Sequence, residues 1–388
     1  MRVMVFPGVF SPTMTMSRYF LFAFSAALVL AACETEVELN APYKSTTVVF
    51  GLLDPTADTQ WVKINKTFLG EGNNLEYALI RDSSEYDFSE FNRLVVEQLE
   101  NGNVIAEFEL IEKEISNKDI NGIFYGPEQT VYFFETPSSG LNQDAQYRIV
   151  CDFHNRPDVT ASTNIVKSGT VAFQIPQQGS SLILAQTTGG GQTVNYNDNV
   201  TVKWSPIENA ELYDFALRFF YNEKKYTNAQ HTELISEESK FVDWTIGQFT
   251  SENLINQGGF LTLQFNAKPF FSFLGNKLTT DPTIVREIGT FDGTNTRCFE
   301  IRMALANEEL RTYFEVNSPV TGVIQERPTY TNVVGGLGLF ASRSRAEVGE
   351  LRLVSSNQNG NLIALVLGEF TNDLGFCDPN PVSPYSCD

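Results

Sequence analysis

The chain predicts a mainly β protein, built from two antiparallel β-sandwich domains, and three observations carry that reading. Short runs rich in Val, Ile, Thr, Phe and Tyr recur along it, several of them alternating apolar with polar residues as half-buried strands do. Asn-Gly, Asp-Pro and Gly-rich clusters separate those runs and supply the turns. The 388 residues are 42% hydrophobic and include 31 Phe, enough apolar side chain for more than one core when domains average roughly 100–200 residues.

From Met16 the sequence reads Ser17, Arg18, an apolar run over 19–29, and then Leu30-Ala31-Ala32-Cys33. The run is too short to cross a bilayer, which takes about 20 residues, and an ordinary secretory signal has no need of the cysteine. The segment resembles a bacterial lipobox. That resemblance implies removal of residues 1–32, acylation of Cys33, and a membrane as partner through the lipid anchor. Two acyl chains hold a protein stably, each buried methylene contributing about 0.8 kcal/mol. Residues 33–45 form an acidic tether in which Glu34, Glu36 and Glu38 resemble the surface-export signal of Bacteroidetes lipoproteins. A solvated tether with no address reads the same residues equally well.

The first domain is expected over 46–175. Strands are expected at 46–53 and 61–69 across the Asp54-Pro55 turn. A polar insertion follows, and then a hairpin of 94–99 with 104–110 around Asn101-Gly102, the strongest short hairpin signal. Further strands are expected at 130–134, 147–153 and 170–175, with an edge over 159–166. Residues 176–199 carry Pro176, Gly179 and Gly189-Gly190-Gly191 and read as a linker.

The second domain is expected over 200–376. Its opening, with Trp204 and then Tyr213 in alternating runs, resembles the buried-Trp strand and following Tyr strand of fibronectin type III modules, an immunoglobulin-like sandwich. Strands are expected at 260–265 and 298–305. One or two short helices are expected here: Asn307 caps a helix with Glu308 and Glu309 in its first turn, and 251–256 forms a single turn. The tail, 377–388, holds Cys377 and Cys387 around Pro379, Pro381 and Pro384, which keep it out of helix and sheet. A Cys377–Cys387 disulfide is expected there. The pairing of Cys151 and Cys298 stays open.

The motif Asn332-Val333-Val334-Gly335-Gly336-Leu337-Gly338-Leu339-Phe340-Ala341, with the segments at 302–314 and 49–69, resembles an uncharacterised family of Bacteroidetes outer-membrane lipoproteins. That family is a domain of unknown function, often encoded beside TonB-dependent receptors. The resemblance implies an outer-membrane location, on the cell surface or the periplasmic face, and such a receptor as partner. It brings no catalytic residues with it. The acidic insertion over 77–91 departs from the family pattern.

Charge and residue usage narrow the function. Net charge is −20, and the signal segment holds Arg2 and Arg18 but no acid, so the mature chain is more negative still. Such a surface repels nucleic acid. Only His154 and His231 are present, and neither has a neighbour that would orient it as triads and zinc sites require. Gly335-Gly336-Leu337-Gly338 lacks the Lys-Ser/Thr of a phosphate loop and reads as a tight turn into a strand. Asp54, Asp58 and the 195–199 run offer oxygen ligands without a complete calcium loop. No catalytic, metal or cofactor residues are therefore assigned. The expected function is non-catalytic binding through loops and aromatic surface, as an accessory to a receptor. The alternatives are a carboxylate-based hydrolase of surface glycans or peptides, and a structural or adhesive surface protein.

Overall fold

A computed structural model describes residues 45–68, 74–167, 171–189, 193–318, 329–354 and 359–387. The expected signal, Cys33 and the tether as far as residue 44 lie outside the described residues, as do residues 190–192 of the expected linker. In chain order the first elements are β1 (Thr47–Leu53), β2 (Thr59–Lys66), α1 (Asn74–Ala78), α2 (Arg81–Ser84), β3 (Phe91–Glu100), β4 (Asn103–Glu109), β5 (Ile111–Ser116), β6 (Glu128–Glu135), β7 (Gln146–Phe153) and β8 (Val159–Asn164). There follow β9 (Phe173–Ile175), β10 (Ala185–Thr188), β11 (Thr193–Tyr196), β12 (Val200–Trp204), β13 (Leu212–Tyr226), β14 (Leu234–Thr250), β15 (Ile255–Gln257), β16 (Phe260–Phe265) and α3 (Lys268–Lys277). The last are β17 (Ile284–Ile288), β18 (Thr290–Phe291), β19 (Thr296–Ala306), α4 (Glu308–Asn317), β20 (Val333–Val334), β21 (Leu337–Arg352), α5 (Gly360–Leu367) and β22 (Phe376–Cys377).

The protein is mainly β, in sandwiches. One long sheet runs β22-β17-β13-β19-β21-β1-β2-β6-β5, with β14 added on β13 and β18 on β19. Its β1-β2-β6 end faces the sheet β20-β8-β7-β3-β4, and Val49, Val62, Tyr132 and Phe134 meet Leu94, Val96, Tyr147 and Ile149 in the first core. Its β13-β19 end faces the sheet β15-β16-β12-β9, and Phe215, Leu217, Phe219 and Ile301 meet Val202, Trp204, Leu261 and Leu263 in the second. A third, small cluster of Leu212, Ala306, Leu310, Leu339 and Ala341 forms where α4 packs on β19 and β21.

Strand pairing crosses the expected 176–199 linker. The first half of β21 pairs with β1, Val48 opposite Leu337 through Leu53 opposite Ser342, while its second half pairs with β19. Val333 and Phe340, expected in the second domain, are buried in the first core. The β1–β21 and β17–β22 pairings are parallel, so the sheet is mixed where all-antiparallel pairing was expected. Gly338 makes the β21 approach passable: its φ is +113°, and a Cβ there would stand 2.0 Å from the Val49 carbonyl oxygen.

Local signals act where expected. Asn101 and Gly102 both have positive φ, +50° and +81°, as the two-residue turn between β3 and β4 requires. Trp204 is fully buried, 5.6 Å from Tyr213 and 5.0 Å from Phe215 between ring centroids. Asn307 Oδ1 accepts the Leu310 backbone N–H at 3.3 Å and starts α4. Cys377 and Cys387 are disulfide-bonded, and Asp378 N donates to Tyr385 O at 2.8 Å inside the loop they close. Helices exceed the expected one or two: α3 and α5 join α4 in the second lobe. The buried Leu362-Ile363-Ala364-Leu365 run of α5 lacks a polar face that would betray the 3.6-residue period, whereas α3 has one, Lys268, Ser272 and Asn276 opposite buried Phe270, Phe271 and Leu274, within a short Phe-rich run.

Candidate functional site

The solvent face of β14-β13-β19-β21 is the candidate ligand face. Strand alternation buries Phe215, Leu217 and Phe219 and turns Asp214, Ala216, Arg218, Phe220 and Asn222 outward along β13. Register then sets the neighbours: Arg218 lies between Asp243 and Glu300, Ala216 between Thr245 and Arg302, and Arg302 beside Glu347. Phe220 sits opposite Phe241, with ring centroids 6.2 Å apart.

One half of this face is internally satisfied. Arg218 grips Asp243 with two parallel bonds, Nε to Oδ1 at 2.7 Å and Nη2 to Oδ2 at 2.8 Å, and its guanidinium stacks 3.8 Å from the centre of the Phe241 ring. The hydrogen bond from Arg218 holds the Asp243 carboxyl below the usual range. Such a fork over an aromatic ring is a rigid surface with few donors left over.

Glu300 is different. Burial pushes its carboxyl above the usual range, and the nearby Glu347 adds to the shift. Arg302 Nε stands 3.3 Å from Glu300 Oε1 and 3.9 Å from Glu347 Oε2, so two carboxylates flank one guanidinium nitrogen. A depression of about 370 Å³ opens beside Glu300, lined among others by Phe220, Asn222, Ser239, Thr290, Arg297 and Glu350. Irregular pairing of β19 with β21 around Phe299 shapes its rim, and bulges of this kind re-aim side chains. Glu350 there has a φ of +56°, rare for a residue other than Gly, Asn or Asp. Asn222 Oδ1 accepts from Ser239 Oγ at 2.7 Å. An aromatic ring beside hydroxyl, amide, carboxylate and guanidinium groups can stack on a ligand and exchange several hydrogen bonds with it.

The residues singled out from sequence lie elsewhere. Cys151 is sealed in the first core, where burial pushes its thiol up to about 12, while His154 beyond it is exposed and donates its backbone N–H to Glu90 O at 3.2 Å. His231 lies in the β13–β14 loop, 3.0 Å from the Pro282 carbonyl oxygen. Cys298 is buried in the second core and is, like Cys151, a free thiol. Asp54 Oδ1 accepts from the backbone N–H and hydroxyl of Thr56 at 3.0 and 2.6 Å, an Asx turn. Asn197 Oδ1 accepts from Asn199 N at 3.0 Å. Among the described residues no three His, Cys, Asp or Glu side chains gather as a metal-binding group. The glycine motif is a turn between β20 and β21: Gly335 has a φ of +78°, and a Cβ on Gly336 would meet the Thr47 carbonyl oxygen at 2.7 Å.

Sequence reading did not find the Glu300 face. Alternation along 212–220 was the available signal, but the partners at 243, 300, 302 and 347 come from strands far away in the chain. No protein-family model matches the chain, and no curated protein matches it.

Proposed function

We propose that this chain is a lipid-anchored outer-membrane lipoprotein that binds a ligand or partner without catalysing its conversion, as an accessory to a TonB-dependent receptor. The observation that carries the binding reading is the open face around Phe220, Arg218 and Glu300, where an aromatic platform adjoins convergent polar groups. Leu30-Ala31-Ala32-Cys33 supports the anchor, and among the described residues no helix is long and apolar enough to cross a membrane. The receptor rests on the family resemblance of the segments at 49–69 and 332–341. Replacing Cys33 by Ala is expected to move the protein from the membrane pellet to the soluble fraction. Cys33→Ala protein that still sediments after a carbonate wash sinks the anchor, and a receptor that never co-purifies with the wild type sinks the partner.

One observation favours a second reading, hydrolysis by a carboxylate pair. The Glu300 carboxyl is raised, as a general acid needs, and shares Arg302 with Glu347. Paired carboxylates roughly 5–10 Å apart serve glycoside hydrolysis. Glycan turnover by the purified protein that Glu300→Gln abolishes would replace the binding reading with this one.

A further inference from the structure

Two adjoining loops of the first lobe display five large apolar side chains, each more than half exposed: Leu79 59%, Ile80 51%, Ile120 73%, Ile123 61% and Phe124 52%. The loops are built, not slack. Tyr125 N donates to Ala78 O at 2.8 Å, joining the end of α1 to the β5–β6 loop, and the Arg81 guanidinium lies 5.9 Å from the Tyr125 ring centre. Lys118 N donates to Pro127 O and Lys118 Nζ to Tyr125 O, both at 3.1 Å, closing the second loop on itself. Burying side chains of this size is strongly favourable, and a cluster left in water marks a contact surface.

We infer that this apolar tip seats in the lipid surface to which Cys33 is anchored and so fixes how the body stands on the membrane. The inference rests on the lipoprotein reading. Chain length selects lipid as the occupant. Only about a dozen residues separate Cys33 from Ser45, a reach of at most roughly 40 Å when fully extended. The chain enters β1 beside the segment that carries the tip: Thr47 Oγ1 is 2.8 Å from Tyr86 Oη, and Asn65 Nδ2 donates to Ser84 O at 3.0 Å. An acyl group on Cys33 would limit how far the start of β1, and the tip beside it, can stand from the lipid surface to that reach. Glu76, Asp82 and Asp119 flank the apolar residues, while Arg81 is already paired with Glu85 and Glu114 and Lys118 donates to Tyr125 O, so the leaflet that suits the tip is zwitterionic, not anionic.

The test uses the full acylated chain on vesicles of phosphatidylcholine and phosphatidylethanolamine with brominated acyl chains. Phe124→Trp is expected to lose indole emission to bromine, after subtraction of the wild-type signal, whereas Val382→Trp, at an 87% exposed position, keeps its emission. Unacylated Cys33→Ser protein carrying Leu79→Ser and Ile123→Ser is expected to partition into the same vesicles roughly tenfold less than Cys33→Ser alone. Circular dichroism checks that the variants fold. An acylated, membrane-bound Phe124→Trp protein with unquenched emission overturns the inference and leaves the lipoprotein reading standing. Emission shielded from iodide but untouched by bromine also overturns it, because the tip then meets protein. A chain without acyl mass on Cys33, recovered in the soluble fraction, fails the lipoprotein reading and the inference with it.

Discussion

Glu85 in the first lobe and Glu300 in the second are both largely withdrawn from water, with 4% and 17% of the side chain exposed, yet their carboxyls shift in opposite directions. Burial is the largest influence on each and raises both. Glu85 overcomes it because Thr130 N and Oγ1 donate at 3.2 and 2.8 Å, Lys63 Nζ at 3.1 Å and Arg81 Nε at 2.9 Å, and its carboxyl ends below the usual range. Lys63 pays for that arrangement, since its own burial outweighs Glu85 and lowers it. Glu300 has Arg302 at 3.3 Å and faces Glu347, so burial prevails. Donor count, not depth, decides whether a carboxylate is structural or left available.

The largest expected effect of breaking this contrast is at Glu85. Glu85→Gln leaves Lys63 and Arg81 without their shared charge and is expected to cost about 3 kcal/mol, since stranding a partner of a buried pair is expensive. Chemical denaturation at pH 7 reads it, and a loss below the scatter of surface variants would refute the structural role.

Acid sharpens the contrast to a smaller degree. The folded carboxyls of Glu85, Glu97 and Glu223 all lie below the ordinary glutamate range, each burial being outweighed by hydrogen bonds and cationic partners. Their contribution is complete above the unfolded value and is lost as pH falls through the folded ones. The stability gap between wild type and Glu85→Gln should therefore narrow as pH drops below about 4. A gap that stays constant through the acid titration counts against the assignment.

Glu300→Gln gives the smallest effect and the opposite sign. Its ionised form is disfavoured in the fold, so the amide is expected to leave stability unchanged or raise it by up to about 1 kcal/mol at pH 7. Because the folded carboxyl is raised, that gain disappears as wild-type Glu300 protonates, at a higher pH than the Glu85 gap begins to close. Clear destabilisation by Glu300→Gln would move Glu300 to the structural class and remove it from the ligand face.

Sequence exposed the parts of the fold that depend on short-range physics. Asn101-Gly102 dictated its turn, Asn307 its cap, and the Trp204 and Tyr213 runs their buried faces. β14 escaped because Ser236-Glu237-Glu238-Ser239-Lys240 in its first half lies at the sheet edge, exposed on nearly every residue, and obscures the alternation of Val242, Trp244 and Ile246 that follows. β17 was missed because it buries Arg286, only 1% exposed, whose Nε binds Glu223 at 2.9 Å and whose Nη1 and Nη2 donate to the carbonyls of Leu374 and Thr279. An arginine inside a strand reads from sequence as a surface residue. The Glu300 face was hidden for a related reason: its rows are assembled from four strands, and register between distant strands is not a local property.

Ser342 Oγ donates to Leu53 O at 3.0 Å across 289 residues of chain, at the end of the β1–β21 ladder. Ribosomal synthesis delivers β1 early and its parallel neighbour almost last. Loop closure over so many residues is slow, and until β21 arrives one edge of β1 stays open. The first lobe thus cannot finish folding ahead of the second, despite having a core of its own. The open edge of β1 is thus exposed for most of synthesis, the interval in which a stray strand could pair with it.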